Sequence, residues 1–267
     1  ELEAEGAIFR TQSDTEVLLI ALARWGVART LPRLTGMFAF AFVDTAARTL
    51  TLGRDPFGIK PLVWSLRGGD LAFASEPGAL LELTGLSRTV DPQALYDYLR
   101  FGLTDQGTGS LFREIYHLPP ASFATIDLNR VAAPVPETYW RPRTEQTSDL
   151  SFDEAAAELG RLFRRSVGLH LRADVPVGAA LSGGIDSAAV VCAMREIEGD
   201  NLDLHTFSFV APGSRHDEER WADIAGQAAR ATMHKTTSDG AALAGGLDDL
   251  IRTQGEPFGS TSIFAQN

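Results

Sequence analysis

The chain has 267 residues with 24 Lys or Arg against 35 Asp or Glu, and its formal net charge of −11 at pH 7 argues against a protein that coats nucleic acid. Hydrophobic residues make up 44% of the chain and charged residues 22%, which are the proportions of folded soluble domains and exclude a disordered or fibrous chain. No apolar run approaches the roughly 20 residues that span a bilayer, so we expect neither a nucleic-acid partner nor a membrane partner.

From residue 13 onwards the sequence predicts a helix followed by short strands. Ser13 and Glu16 have the spacing of a capping box, and the apolar residues after them predict a helix over residues 15–25. Asp91 precedes a proline at the first position of a second predicted helix, over residues 93–100. Between these helices, apolar residues alternate or cluster between turn residues, which predicts strands over residues 37–43, 49–53, 61–66 and 71–74.

The composition of the chain changes near residue 132, where prolines become frequent. A polar run over residues 144–149 predicts an exposed connection, so we place a domain boundary there, between residues 1–146 and residues 147–267. In the second part, predicted helices and strands alternate, which indicates a parallel sheet with right-handed crossovers. The predicted helices cover residues 151–170, 188–196, 218–231 and 240–253, and the predicted strands cover residues 175–181 and 204–210.

The strongest chemical signal is the segment S-G-G-I-D-S between a predicted strand and a predicted helix. Gly183 and Gly184 allow a sharp turn that points N–H groups into one concavity, and the helix adds its positive dipole end, so the segment predicts an anion site. Ser182 and Ser187 supply hydroxyl donors for phosphate oxygens. Asp186 would repel a phosphate unless a divalent cation stood between them, which favours a bound Mg²⁺. The alternative is an ordinary turn, since these residue types are common in turns.

Residues 175–187, V-P-V-G-A-A-L-S-G-G-I-D-S, resemble the pyrophosphate loop of glutamine-hydrolysing asparagine synthetases. In that family the loop binds the triphosphate of ATP and the pyrophosphate product, so the resemblance implies ATP and Mg²⁺ as cofactors, with Asp186 as the magnesium ligand. It also implies that the main chain of Leu181 faces the nucleotide and that of Phe209 contacts adenine, although a core phenylalanine explains Phe209 equally well. The implied set of residues that bind ATP and pyrophosphate is Leu181, Ser182, Gly183, Gly184, Asp186, Ser187 and Phe209.

The first part of the chain resembles the glutaminase domain of the same family. The matching segments occur in the family's order: S-D-T-E-V from residue 13, G-M-F-A-F-A from residue 36, R-D-P-F-G-I-K-P-L from residue 54 and F-A-S-E from residue 73. This resemblance implies two stacked antiparallel sheets between helix layers, the αββα sandwich of N-terminal nucleophile type. Asp14 would hold the α-ammonium group of glutamine, although a helix-capping role explains it as well. The family's nucleophile is an N-terminal cysteine, which we expect upstream, so no catalytic residue is assigned within the chain.

We interpret the chain as a fragment that lacks both ends of the family's enzymes, because the family's later Ser-Gly-Glu-Gly-x-Asp-Glu segment is absent as well. The expected architecture is a partial α+β sandwich followed by a partial α/β parallel-sheet domain of the PP-loop type. The fragment alone is expected to be inactive. Glu256, in the segment E-P-F-G-S, resembles a family residue near the acceptor pocket and is a weak candidate there.

The remaining candidate residues carry weaker expectations. Cys192 is the lone cysteine and lies in an apolar stretch, so we expect a small buried residue in a protein of a reducing compartment, which favours the cytoplasm. The histidines show no metal-ligand spacing, and solvated or capping roles are expected for His117, His170, His205, His216 and His234.

The resemblance implies an ATP-dependent amidotransferase that moves glutamine-derived ammonia to aspartate through β-aspartyl-AMP, releasing AMP and pyrophosphate. Its substrates would be the small molecules glutamine, aspartate and ATP, and we also consider a homodimer. One alternative is a related cyclase that adenylates a carboxylate and closes a β-lactam or a macrocyclic peptide, with a degenerate glutaminase half. A second alternative is a non-catalytic nucleotide-binding module.

Overall fold

The structure, a computed structural model, describes residues 1–104, 107–145, 147–214, 217–237, 240–260 and 263–264. These residues belong to two units. The first unit consists of Glu1–Thr144 together with Ile251–Gly259, and the second consists of the residues between and after those segments. The first unit is therefore discontinuous in sequence, since a short segment far along the chain belongs to it.

Helix α1 (Asp14–Trp25) lies within one residue of its predicted bounds, and the Ser13 side chain caps it. The predicted capping box does not form: the Ser13 hydroxyl accepts from the amide of Thr15 instead of that of Glu16, at 3.2 Å. The Glu16 carboxylate accepts hydrogen bonds from the amides of Arg10 and Thr11 and from the Thr11 hydroxyl, at 2.6–3.2 Å, rather than from the amide of Ser13. The chain before α1 curls over the helix end, so upstream donors reach this carboxylate. The Thr11 hydroxyl and the Arg10 amide hold the pKa of Glu16 below its usual range.

The strands of the first unit are β1 (Ala39–Asp44), β2 (Thr49–Arg54), β3 (Val63–Arg67), β4 (Asp70–Ala74), β5 (Tyr116–His117), β6 (Ser122–Asp127) and β7 (Glu137–Thr138). They form two antiparallel sheets with the orders β1-β2-β6-β7 and β4-β3-β5. The first four strands confirm the predicted ones within two residues at each end. The other three were not predicted: two are only two residues long, and β6 was overlooked although Pro119 and Pro120 mark a turn just before it.

The two antiparallel sheets face each other across a shared apolar core, which confirms the expected stacked sheets. Leu52 of β2 and Ala124 of β6 are fully buried and belong to one cluster with Trp64 of β3. Helix α2 is short (Val27–Thr30), and helix α3 (Pro77–Thr84) comes after β4. Helix α3 covers the other face of β3 through Leu80, which is also fully buried. Burial of such side chains, at about 25 cal/mol per Å² of apolar surface, stabilises the layered arrangement.

Helix α4 (Pro92–Phe101) confirms the second predicted helix of the first unit. The Asp91 carboxylate accepts hydrogen bonds from the amides of Gln93 and Ala94, both at 3.0 Å, so it caps the helix as its position before a proline predicts. Gly102 ends the helix in the left-handed conformation with φ +69°, which glycine adopts without strain.

A buried carboxylate organises the turn after β2. Asp55 is fully buried, and its two carboxylate oxygens accept hydrogen bonds from four backbone amides, those of Phe38, Phe57, Ile59 and Lys60, at 2.9–3.3 Å. A buried charge is costly unless such donors surround it. The segment R-D-P-F-G-I-K-P-L that resembles the glutaminase domain is therefore a structural turn built around one anion.

Arg54 ties the same turn to the neighbouring chain. Its guanidinium donates to the carbonyls of Lys60, Leu118 and Gly58, at 2.9, 2.7 and 2.8 Å. Gly58 has φ +64°, and a Cβ there would lie 2.9 Å from Pro120 Cγ, so the turn requires glycine on both counts. Arg54 and Asp55 thus hold one loop from opposite sides, through its carbonyls and its amides.

The second unit contains the expected parallel sheet, with the strand order β10-β9-β8. Its elements in chain order are α5 (Phe152–His170), β8 (Gly178–Ala180), α6 (Ile185–Glu198), β9 (His205–Phe209), α7 (Glu219–Ala228), β10 (Thr232–Thr236) and the part of α8 (Gly240–Gln254) that precedes Ile251. β10 was not predicted: the preceding helix was extended to residue 231, and no element was assigned to residues 232–236. Arg230 takes a left-handed φ of +51° there, and the chain leaves the helix before it.

The core of the second unit lies between the sheet and its helices, and it includes Leu181, Val191 and Leu204. Cys192 is exposed, so the expectation of a buried cysteine is wrong. Its neighbours Val191 and Ala193 take the core positions on α6, and the thiol points away from the cluster. Among the described residues, no helix combines the length and apolar character needed to cross a membrane.

Replacing Asp55 with alanine should destabilise the first unit by at least about 3 kcal/mol, because the change leaves four part-buried amides of the turn without their acceptor. Urea unfolding followed by tryptophan fluorescence, with amide exchange of the peptide that contains residues 54–62, measures this loss. Asp44→Ala is the matched control: Asp44 also accepts from two amides, those of Ala46 and Ala47, but in a hairpin turn near the surface. It should cost about 1 kcal/mol, and equal losses for the two variants would contradict the role of Asp55.

Burial, and secondarily the nearby charge of Asp55, raise the pKa of Tyr139 far above its usual range. Its hydroxyl donates to the Arg54 carbonyl at 2.8 Å. In the unfolded chain the tyrosine hydroxyl ionises near pH 10. The contribution of Tyr139 to the free energy of unfolding is therefore complete below that pH and is lost as the pH rises towards the folded-state pKa. Tyr139→Phe should flatten the alkaline decline of stability measured by urea unfolding at about pH 8 and about pH 11. The exposed Tyr96 supplies the control Tyr96→Phe, and a Tyr139 phenolate absorbance in the folded protein near pH 10 would refute the assignment.

Candidate functional site

The predicted anion loop connects Leu181, at the carboxyl end of β8, to the first residue of α6. Gly183 has φ +86°, and a Cβ on it would lie 2.8 Å from both the amide nitrogen of Ala222 and the carbonyl oxygen of Glu218. The loop therefore rests directly on the backbone of α7's first turn, where no side chain fits. Gly184 has an ordinary φ of −68°, so only the first of the two glycines supplies the unusual conformation.

The two serine hydroxyls of the loop meet. Ser182 Oγ and Ser187 Oγ are 3.1 Å apart, and Ser187 Oγ also donates to the carbonyl of Gly184 at 3.1 Å. The amides of Ser182 and Gly184 donate to these hydroxyls, each at 3.3 Å. Such long bonds can be exchanged for bonds to a stronger acceptor, and a phosphate oxygen is one.

Helix α6 presents its amino end to the same loop. Gly184 occupies the N-cap position and has no side chain that accepts from the first amides of the helix. The 14 residues of α6 add the positive end of their dipole. The elements around the loop therefore favour an anion over a cation at this point.

Asp186 lies exposed in the first turn of α6. Across the residues that the structure describes, no group of three or more His, Cys, Asp or Glu is placed to hold a metal ion. Asp186 offers carboxylate oxygens, which Mg²⁺ prefers, and an ion held there would take its other ligands from phosphate oxygens and water. The donor set fits Mg²⁺ that arrives with a nucleotide better than a resident metal.

Leu181 and Phe209 stand at the carboxyl ends of neighbouring parallel strands. The Leu181 side chain is buried, its amide donates to the Phe207 carbonyl at 2.8 Å, and its own carbonyl accepts from Ser208 Oγ at 2.7 Å. Phe209 is 46% exposed, so the alternative that it is a core phenylalanine is wrong. Ligands of open α/β sheets bind at this edge, which is where the anion loop also lies.

An ion cluster beside the loop was missed in the sequence analysis. Lys235 on β10 contacts two carboxylates of α7, those of Glu219 and Asp223. Acids four residues apart on a helix were a visible signal. This spacing alone did not reveal the cluster, because β10 was not predicted and Lys235 was therefore not assigned to a strand beside the helix.

Asp14 is the first residue of α1 in the first unit and is exposed. Ser13 is the N-cap residue, so the alternative that Asp14 caps the helix is wrong. Its carboxylate accepts only a long hydrogen bond, 3.4 Å, from the Thr15 hydroxyl among the bonds that the described residues make with it. The carboxylate is thus free to meet a cationic group from solvent.

Glu256 lies on the segment Ile251–Gly259 of the first unit, where its carboxylate contacts His117 Nε2 at 3.1 Å. The two side chains are only about one-fifth exposed, so the expectation that His117 is solvated or capping is wrong. Nearby, the Tyr98 hydroxyl donates to the Phe258 carbonyl at 3.1 Å. Pro257, from the same segment, lines a cavity of about 320 Å³ together with residues of α4.

The other histidines have separate roles. His170 Nδ1 contacts the Ser166 carbonyl at 2.8 Å at the end of α5, which confirms a capping role. His205 and His234 stack, with ring nitrogens 2.8 Å apart, on adjacent strands. His216 lies outside the described residues.

The comparison with protein families matches both parts of the chain. Residues 1–140, just over half of the 267, match a glutamine amidotransferase domain, and residues 158–266 match asparagine synthase. A chain with both matches is of the glutamine amidotransferase class. The chain belongs to the glutamine-hydrolysing asparagine synthetase family.

Individual relatives agree with this assignment. A putative asparagine synthetase [glutamine-hydrolyzing] of Mycobacterium bovis is 39% identical over an alignment of 234 positions, which covers 79% of this chain and 35% of the relative. Asparagine synthetase [glutamine-hydrolyzing] 3 of Bacillus subtilis is 31% identical over an alignment of 271 positions, which covers 96% of this chain and 43% of the relative. The chain thus spans about a third to two-fifths of these relatives. A solved glutamine phosphoribosylpyrophosphate amidotransferase of B. subtilis shares 15% identity at a TM-score of 0.37, too low to establish a common fold.

Gly183→Ala should disrupt the anion loop, since alanine is strained at φ +86° and its Cβ would collide with backbone atoms that cannot rotate away. The expected cost is about 2 kcal/mol or more in the second unit, measured by urea unfolding with Trp221 fluorescence and by amide exchange of residues 181–188. Gly184→Ala is the control, because φ is ordinary there and the nearest atom is the Ser182 hydroxyl, at 3.3 Å. Similar behaviour of the two variants would show that the left-handed turn is unimportant.

Proposed function

We propose that the full-length protein is an ATP-dependent amidotransferase that transfers glutamine-derived ammonia to aspartate, through β-aspartyl-AMP, with release of AMP and pyrophosphate. The observation that carries the proposal is the loop from Ser182 to Ser187: a left-handed glycine, two converging hydroxyls and an uncapped helix end meet at the carboxyl edge of a parallel sheet. The loop lies within the residues that match asparagine synthase, and the relatives that are similar over most of this chain carry that enzyme's name.

The proposal divides the chain between two half-reactions. Residues 1–146 would form the C-terminal part of the glutaminase domain, of N-terminal nucleophile type, and residues 147–267 the N-terminal part of the ATP-binding domain, of PP-loop type. The stacked antiparallel sheets of the first unit and the parallel sheet of the second support this division. Asp14 would hold the α-ammonium group of glutamine. The proposal assigns no nucleophile to this chain, since Cys192 lies on α6 in the second unit.

The chemistry explains why a phosphate loop is needed to make an amide. A carboxylate is a poor electrophile and has no good leaving group, and transfer of AMP to the aspartate side chain corrects both defects. Pyrophosphate leaves, so negative charge must be stabilised where it develops. Ser182, Gly183, Gly184 and Ser187 would donate hydrogen bonds to those oxygens, the main chain at Leu181 and Phe209 would contact the nucleoside, and Asp186 would hold Mg²⁺. Bound Mg²⁺ would neutralise part of the phosphate charge.

Glu256 has a different surrounding from the phosphate loop. Its carboxylate is paired with His117 inside the first unit. The proposal gives Glu256 an acceptor-side role, with His117 as the neighbour that positions its carboxylate.

Asp186→Ala in the full-length protein should lower aspartate-dependent ATP–pyrophosphate exchange by at least about 100-fold while glutamine hydrolysis continues. Asp200→Ala is a matched control, since it removes an exposed aspartate of the same unit that pairs with Arg230 at the surface. Isotope exchange and glutamate release measure the two half-reactions. Exchange that persists in Asp186→Ala would refute the assignment, and a wild-type protein that binds ATP without forming AMP would indicate a nucleotide-binding module instead.

A further inference from the structure

The first turn of α7 is the wall against which the phosphate loop rests. A Cβ on Gly183 would lie 2.8 Å from two backbone atoms of that turn and 3.0 Å from Trp221 Cβ. No side chain separates the two pieces of backbone, so nothing there can adjust by rotation. Any movement of the first turn of α7 is therefore transmitted to the loop.

The first turn of α7 is held to the sheet by charge. Lys235 Nζ lies 2.8 Å from Glu219 Oε1 and 2.6 Å from Asp223 Oδ1, and these acids stand one helical turn apart on one face of α7. The three side chains are 31–37% exposed, whereas both partners in each of the other Lys or Arg ion pairs of the described residues are at least 43% exposed. Lys235 as a whole residue is exposed, so solvent and salt still screen the cluster in part.

The second half of α7 is held differently. A Cβ on Gly226 would lie only 2.3 Å from Met233 Sδ, so this glycine lets α7 approach β10 through apolar contact. Met233 and Lys235 are two residues apart on β10, so both side chains lie on the same face of the strand, the face towards α7. Apolar packing thus anchors one half of α7, and the ammonium group of Lys235 anchors the half that contacts the loop.

The strand beside β10 anchors the other side of the loop. Ser208 of β9 stands opposite Lys235 in the parallel register, and its hydroxyl donates to the carbonyl of Leu181, the residue just before the loop. The two supports of the loop, Leu181 and the first turn of α7, are therefore both fixed to the sheet at the level of Lys235.

We infer that Lys235 is a positioning residue for the phosphate loop: by holding Glu219 and Asp223 it fixes α7 against Gly183 and so sets the direction of the loop's N–H groups. This inference rests on the proposed function, in which the loop binds ATP and pyrophosphate. A lysine near a polyanion can also act by its charge alone, by contacting phosphate. The two roles predict opposite effects for the removal of its acidic partners.

The test measures binding of Mg-ATP and of Mg-pyrophosphate to the full-length protein by calorimetry. Asp223→Asn and Glu219→Gln each remove a negative charge near the loop, so charge alone predicts tighter binding. Positioning predicts that each variant, like Lys235→Met, binds both ligands about 3-fold to 30-fold more weakly. The double variant Lys235→Met/Asp223→Asn should bind no more weakly than the weaker-binding of the two single variants, because both changes break the same contact between β10 and α7.

Arg164→Met is the matched control. Arg164 bonds Glu196 at 3.0 Å between α5 and the far end of α6, so its loss removes one ion pair of the same unit without touching α7. This variant should bind as wild type. Lys235→Arg should recover part of the affinity lost in Lys235→Met, and if Lys235→Met does not fold, the two acidic variants still decide between the roles.

Tighter binding by Asp223→Asn and Glu219→Gln, or unchanged binding by these variants and Lys235→Met, would overturn the inference. The proposed function fails separately: a wild-type protein that binds neither Mg-ATP nor Mg-pyrophosphate would refute it. Binding that depends on Asp186 and is unaffected by the Lys235 cluster would refute the positioning role alone.

Discussion

The second unit depends on one close contact between two stretches of backbone, that of Gly183 with the first turn of α7. The contact is possible because Gly183 adopts φ +86° and carries no Cβ. The same turn brings Gly184 to the N-cap of α6, so that this helix begins with open amides at the edge of the sheet. The conformation of one residue therefore determines where the strand ends, where the helix starts and where the two serine hydroxyls meet.

Both units surround a negative charge with main-chain donors, but the source of the charge differs. In the first unit the anion is the protein's own: the buried Asp55 carboxylate accepts from four amides and fixes a turn. In the second unit, under the proposed function, the anion is the phosphate of a ligand. A permanent carboxylate makes a rigid turn, whereas the serine hydroxyls at 3.1–3.3 Å hold the second loop with bonds that a ligand can replace.

Local sequence patterns predicted most helices and strands. The features that they did not predict depend on contacts between residues distant in sequence. The helix starts at Asp91 and Ser151 formed as predicted because their partners lie within three residues; Ser151 and Glu154 make the complete capping box. Ser13 and Glu16 have the same spacing, but donors from upstream chain captured the glutamate. β10 depends on pairing with β9, and the Lys235 cluster depends on β10, so neither was visible in the local sequence. The turn from Ser182 to Ser187 between a strand and a helix was predicted because its residues are contiguous.

The segment Ile251–Gly259 belongs to the first unit although residues 145–250, which directly precede it, belong to the second. The polypeptide therefore visits the first unit twice, and no single cut in the connection at residues 144–149 separates intact units. A product ending at residue 146 would leave His117 without Glu256 and the Tyr98 hydroxyl without the Phe258 carbonyl. Expression of the first unit on its own would thus require that the segment Ile251–Gly259 be joined to it. Duplication or recombination of the gene region for residues 1–144 alone would likewise produce a first unit without this segment.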